Sequence, residues 1–154
     1  MVATLRQAHR GDIPAMHRVR LAVRENRLTS SAIREEHYIS AIEETGRGWV
    51  VEVAGTVVAF AVGNVETGNI WALFVDPEHE GRGHGRRLHD VMVSWLFSSG
   101  LTKLWLSTAP ETRAQRFYEA TGWHFKGVLP QGEVLYELAN PAGRADAVPP
   151  APGL

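Results

Sequence analysis

DPEHEGRGHGRRLHDVMVSWL, residues 76–96, reads as a strand end, a glycine loop and an amphipathic helix in succession. The six residues before it, Ile70 to Val75, are an apolar run of strand length, closed by Asp76-Pro77. After it, Leu88, Val91, Met92, Trp95 and Leu96 recur at helical spacing and mark one apolar face. Between strand and helix stand Gly81, Gly83 and Gly85, interleaved with Arg82, His84, Arg86 and Arg87. Glycines admit backbone conformations that other residues resist, and they remove the β-carbons that would block a ligand. The free N–H groups of a helix start point into that gap, where the helix dipole favours an anion. Arginines add bidentate phosphate contacts. The stretch is a phosphate cradle on physical grounds.

Two familiar phosphate loops do not fit. No Gly-Lys-Ser/Thr follows the glycines, as a P-loop requires, and G-x-G-x-G replaces the G-x-G-x-x-G of a dinucleotide fold. A chain of 154 residues with 44% hydrophobic and 21% charged content suits one globular domain. A net charge of −1 argues against a general nucleic-acid binder. With no cysteine there is no disulfide and no thiol nucleophile, so an acyl-cysteine route is excluded. The N-terminus does not read as a signal peptide, and no run reaches membrane-spanning length; a cytoplasmic protein without membrane or nucleic-acid partners is expected. The seven histidines show no ligand spacing, so no metal site is expected.

Read in order, Val2–Ala8 is a first strand, and Asp12 with Pro14 opens a helix whose stripe is Ile13, Met16, Val19 and Val23. Arg18, Arg20 and Arg24 fall mostly off that stripe. A second helix spans about Arg34 to Glu44, with Tyr38, Ala41 and Ile42 inward. Trp49–Val53, Thr56–Val65 and Ile70–Val75 are three successive antiparallel strands. The central helix stops at Gly100, Lys103–Thr108 is the next strand, and a helix from Glu111 or Thr112 ends at Gly122. Trp123–Val128 and Glu133–Leu138 close the domain as a strand pair. The reading is α/β: one domain over residues 1–139, with a mixed, largely antiparallel sheet and helices on both faces. Residues 140–154 form a proline- and alanine-rich tail, expected to be disordered.

Glu80-Gly-Arg-Gly-His-Gly85, preceded by Phe74-Val-Asp-Pro77, resembles the acetyl-CoA motif of the GCN5-related N-acetyltransferase (GNAT) superfamily, Gln/Arg-x-x-Gly-x-Gly/Ala. Ala114 to Trp123 resembles its second motif, and the resemblance covers about residues 3–138. Glu80 departs from the usual Gln or Arg, and Glu111 from a frequent Asn. The resemblance implies that the strands at Ile70 and Lys103 splay into a V. Pantetheine would lie on the backbone of Leu73, Phe74 and Val75, and the pyrophosphate on the amides of Gly81, Arg82, Gly83, His84, Gly85 and Arg86. It implies an acetyl-CoA-dependent N-acetyltransferase that transfers acetyl directly to a primary amine, with the N–H of Phe74 or Val75 polarising the carbonyl. Tyr118 matches the family's acid for the leaving thiolate. The base is open between Glu66 and Glu25; a solvated turn residue is the plainer reading of Glu66, and a solvated helix end is the other reading of Glu25. Arg24, Glu25 and Asn26 are candidates for the acceptor end of the cleft, and Trp71 for its wall. The acceptor is an amine-bearing small molecule or a protein or peptide amine, and a homodimer is common in the superfamily. A non-catalytic acyl-CoA sensor of the same fold, or a binder of another phosphate ligand, stays open as the alternative.

Overall fold

β-Branched runs joined by tight turns make the first sheet of the computed structural model, which describes residues 2–23 and 33–141. Strands β1 (Ala3–Gln7), β2 (Gly46–Val53), β3 (Thr56–Asn64) and β4 (Ile70–Val75) lie side by side in that order, all antiparallel. Between β1 and β2 come α1 (Ile13–Ala22) and α2 (Glu35–Ile39), which runs on as one π turn at Ser40–Glu44. After β4 follow α3 (His84–Ser98), β5 (Lys103–Thr108), α4 (Arg113–Ala120), β6 (His124–Val128) and β7 (Val134–Ala139). The last three strands form a second antiparallel sheet in the order β5-β7-β6. The element order matches the sequence reading. β2 starts three residues before the expected Trp49, because Gly46 and Gly48 extend its pairing with β3.

Each face of the sheets buries its own core. Leu88, Met92 and Leu96 of α3 are fully buried with Leu104, Leu106 and Tyr136 on one side. Ile13, Met16 and Val19 of α1 meet Tyr38, Phe60 and Val62 on the other. Burial of each large apolar side chain contributes about 1.5–3 kcal/mol. Close approach of α3 to the sheet depends on Gly63, where a β-carbon would stand 2.9 Å from Leu96 Cδ1.

Asp12 occupies the N-cap of α1 as expected, yet its side chain does not bond the first turn. It accepts two hydrogen bonds from Arg6, at 2.9 and 2.8 Å, and one from the His9 N–H at 2.9 Å. Burial would raise this carboxyl's pKa; the Arg6 bonds outweigh that and hold it below the usual carboxylate range. The correction for Arg20 is larger. It is 4% exposed, on the inner face of α1 one turn after Met16. Among the described residues no helix is long and apolar enough to cross a membrane.

Candidate active site

The chain leaves β4 through a short 3-10 turn, Pro77–His79, whose Asp76 cap accepts from the Glu78 N–H at 2.9 Å. It then enters the glycine loop. Gly81 and Gly83 have φ of +75° and +84°, and a β-carbon at either would meet nothing within 4 Å. Gly83 is the left-handed N-cap of α3, and no side chain caps that helix. The first helical bond is from the Arg87 N–H to the Gly83 carbonyl, at 3.1 Å. Among the described residues, the N–H groups from Gly81 through Arg86 find no hydrogen-bond acceptor. A run of unpaired donors at a helix start, edged by Arg82 and Arg86, is a site for a polyanion. Glu80 opposes it less than a free carboxylate would, because its side chain lies 3.5 Å from Arg113 Nε on α4.

The loop opens on a cleft of about 610 Å³. Its vertex is a parallel bridge between Asn69 and Trp105, supported by the Trp105 N–H on the Gly68 carbonyl at 3.0 Å. Beyond that point β4 pairs only with β3 and β5 only with β7, so their facing edges diverge. This is the splayed strand pair read from the resemblance. β4 carries a bulge: Val62 pairs with Ala72 and Gly63 with Ile70, which leaves Trp71 as the extra residue. Leu73, Phe74 and Val75 line the cleft along the unpartnered edge.

Tyr118 lies in the cleft wall, 7% exposed, with its ring 5.3 Å from Phe117 and 5.6 Å from Trp123. Among the described residues nothing bonds its hydroxyl, and burial raises its pKa. A polar chain supports it from behind. The Trp123 indole N–H donates to His89 Nε2 at 3.0 Å, so His89 carries its proton on Nδ1 and gives it to Asp90, at 2.9 Å. Burial lowers the His89 pKa and keeps the ring neutral.

An aromatic cage lines the other side of β4. The Arg20 guanidinium carbon sits 4.6 Å from the Trp71 ring centroid, 4.9 Å from Phe74, 5.4 Å from Tyr38 and 5.9 Å from Phe60. Tyr38 in turn bonds His17 Nδ1 at 2.9 Å. Burial lowers the Arg20 pKa. Its Nε is buried without a hydrogen-bond partner, and no carboxylate among the described residues pairs with the guanidinium. Each ring contact contributes about 0.5–2 kcal/mol. Removing a charge from water costs several kcal/mol, of the same order as the four ring contacts together.

The expected cradle residues, Arg82 excepted, and Trp71 come together on one cleft with Tyr118. Glu66 does not join them. Asn64 Oδ1 accepts from the N–H groups of Glu66 and Thr67, a turn that leaves Glu66 exposed and off the cleft. Arg24, Glu25 and Asn26 lie outside the described residues, as does the tail from residue 142 onward. Two cleft residues were missed. Arg20 follows Met16 by four, the spacing of one helix face, and that signal was available. Glu133 gave no signal; the β5–β7 pairing brings it to the cleft, where its Oε1 accepts from Ser107 Oγ at 2.8 Å.

The model of the Acetyltransferase (GNAT) family matches residues 13–123. No curated protein matches the chain in sequence. Among solved structures, the ribosomal-protein-S18-alanine N-acetyltransferase of Escherichia coli superposes with a TM-score of 0.72 at 20% identity, covering 90% of this chain and 94% of that one. PaiA N-acetyltransferase of Thermoplasma acidophilum, in complex with coenzyme A, gives 0.74 at 12% identity over 91% and 100% of the chains. YncA of Salmonella typhimurium, solved with its cofactor acetyl-CoA, gives 0.73 at 19% identity over 90% and 94%. These likenesses concern the fold.

Proposed function

Because the chain belongs to the acetyltransferase (GNAT) family, we propose that it transfers acetyl from acetyl-CoA directly to a primary amine held in the cleft between β4 and β5. The observation that carries this reading is the unpaired N–H run from Gly81 through Arg86, placed beside the splayed strand edges. Those groups fit the pyrophosphate, each charged hydrogen bond contributing about 1.5–3 kcal/mol. The free edge of β4 at Leu73, Phe74 and Val75 fits the pantetheine amides. Bound there, acetyl-CoA supplies the acetyl group as a thioester.

This chain's residues then have three tasks. A backbone N–H of Phe74 or Val75 stabilises charge on the carbonyl oxygen. Tyr118 holds its proton through the neutral range and donates it from Oη to the departing sulfur. The amine must lose its own proton. A lysine-like amine is under ~0.1% free base at pH 7, whereas an α-amine is roughly a tenth free. Among the described residues two carboxylates, Glu80 and Glu133, border the cleft, and Glu80 is engaged by Arg113. Glu133 is therefore the group that receives the ammonium and its proton, with Ser107 fixing one of its oxygens. Glu133 takes the place of Glu66 as a candidate base, while Glu25 lies outside the described residues.

The experiment has two arms on the full chain. Calorimetry with acetyl-CoA, ATP and NAD is expected to give binding of acetyl-CoA alone. A panel of primary amines is then screened for release of free CoA. Preference for ATP or NAD removes the proposal; acetyl-CoA binding without turnover on any amine leaves a sensor instead.

A further inference from the structure

We propose that Arg20 anchors an anionic group on the acceptor, so that the enzyme selects amines carrying a carboxylate or a phosphate. The inference rests on the acetyl-transfer reading above and names the substrate class of the same cleft. Arg20 is 4% exposed and yet borders the cleft. Its Nε is buried with no hydrogen-bond partner, the neutral Tyr38 side chain is the polar group set against the guanidinium, and no carboxylate among the described residues neutralises it. Buried arginines are ordinarily paired, and a guanidinium presents a planar fork that fits carboxylate or phosphate oxygens. Four aromatic rings, Trp71 and Phe74 nearest, hold the group in place and exclude water around it. Excluding water strengthens any ion pair that a ligand completes.

The position suits recognition rather than chemistry. Trp71 is the bulged residue of β4, and both it and Phe74 contact the guanidinium. The cationic side chain is thus fixed to the strand on which the acetyl group would lie. Glu133 supplies the opposite charge on the cleft wall, from the β5 and β7 side. A cleft with one fixed cation and one carboxylate receives an acceptor with an ammonium at one end and an anion at the other. Trp71 and Phe74 leave apolar surface beside the cation for the body of that molecule.

The test uses matched acceptors: L-amino acids, their α-amides and the corresponding 1-aminoalkylphosphonates, with CoA release followed for the parent, Arg20→Met and Arg20→Lys. The parent is expected to favour the charged member over its amide by at least about tenfold in kcat/KM, roughly 1.4 kcal/mol. In Arg20→Met the ratio collapses to near one, and Arg20→Lys keeps part of it. The carboxylate and phosphonate arms show which anion is read. A parent without preference, or an unchanged ratio in Arg20→Met, overturns the proposal. Should Arg20→Met not fold, thermal melts of the parent decide: glutarate, and not glutaramide at equal ionic strength, is expected to stabilise it, and equal shifts count against the anchor. If no amine releases CoA, the acetyl-transfer reading fails, and these melts still judge Arg20 on their own.

Discussion

Arg113 Nε stands 3.5 Å from Glu80 Oε2, so an arginine of α4 neutralises the acidic residue that leads into the cradle. Both side chains border the cleft, and both are partly exposed to solvent. The pair explains how the chain tolerates a glutamate where related motifs carry Gln or Arg. It also gives a first prediction. Glu80→Gln removes a negative charge from the edge of the proposed pyrophosphate site. Acetyl-CoA affinity measured by calorimetry is expected to rise about twofold to fivefold, the scale of an exposed ion pair. Weaker binding in Glu80→Gln would show that Glu80 helps to shape the loop.

The glycines carry a second prediction. Gly83 is held at φ +84° as the N-cap of α3, where a valine adds strain of about 1–3 kcal/mol at the start of the unpaired N–H run. Gly85→Val crowds Val75 and Phe117, since even a β-carbon there lies 3.5 and 3.7 Å from them. Each variant is expected to weaken acetyl-CoA binding at least about tenfold while remaining folded. Arg82→Ala is expected to lose less, because backbone donors hold the phosphates. Parent-like calorimetry for both glycine variants would move the site elsewhere.

Much of this was readable in the sequence because it is local. The strand end, the glycine loop and the helix face of Leu88, Met92 and Leu96 are encoded within about twenty residues of one another. Tyr118 and the α4 start at Thr112 are equally short-range, with Thr112 Oγ1 accepting from the Gln115 N–H as an N-cap. What escaped depends on tertiary packing. Arg20 was set off the apolar stripe by its charge, although its spacing from Met16 places it inward among four rings. Glu133 reaches the cleft only through the pairing of β7 with β5, which no stretch of neighbouring residues records. Glu66 looked close to the cleft because it is near Asn69 in sequence; the turn closed by Asn64 carries it away.

The pH dependence of stability follows from two buried imidazoles, His84 and His89, and one half-buried, His17. Burial first, and neighbouring cations second, lower the pKa of His17 and His84; burial lowers that of His89 against the pull of Asp90. Folded pKa values below 6.5 mean that the unfolded chain takes up protons which the folded chain refuses. Stability is therefore fully present above about pH 6.5 and falls as pH drops below it. In the proposed binding mode acetyl-CoA would place negative charge beside His84, raising that ring's pKa and flattening the loss. Melts from pH 7.5 to 5.5, with and without acetyl-CoA, check both slopes. An apo Tm that does not fall with acidification would contradict the burial of these rings. His84→Phe should show a smaller difference between the two slopes than the parent.

On the acceptor side, single replacement of Arg24, Glu25 or Asn26 by Ala is expected to raise the acceptor KM severalfold while acetyl-CoA affinity stays within about twofold of the parent. Glu133→Gln should instead lower the chemical rate most for lysine-like amines and least for α-amines, which need less help in losing a proton. Equal losses for both amine classes would assign Glu133 to binding.

The central claim is that acetyl leaves a thioester sulfur beside Tyr118, and single-turnover CoA release by Tyr118→Phe tests it most directly. Phenylalanine keeps the ring contacts with Phe117 and Trp123 and removes only the hydroxyl, which no described residue bonds. A thiolate is a better leaving group than an alkoxide, so proton donation helps at the lower end of its usual range, about 10²-fold. The account predicts a chemical step slower by that factor, with the acetyl-CoA dissociation constant within about twofold of the parent. A parent-like chemical rate in Tyr118→Phe would contradict it.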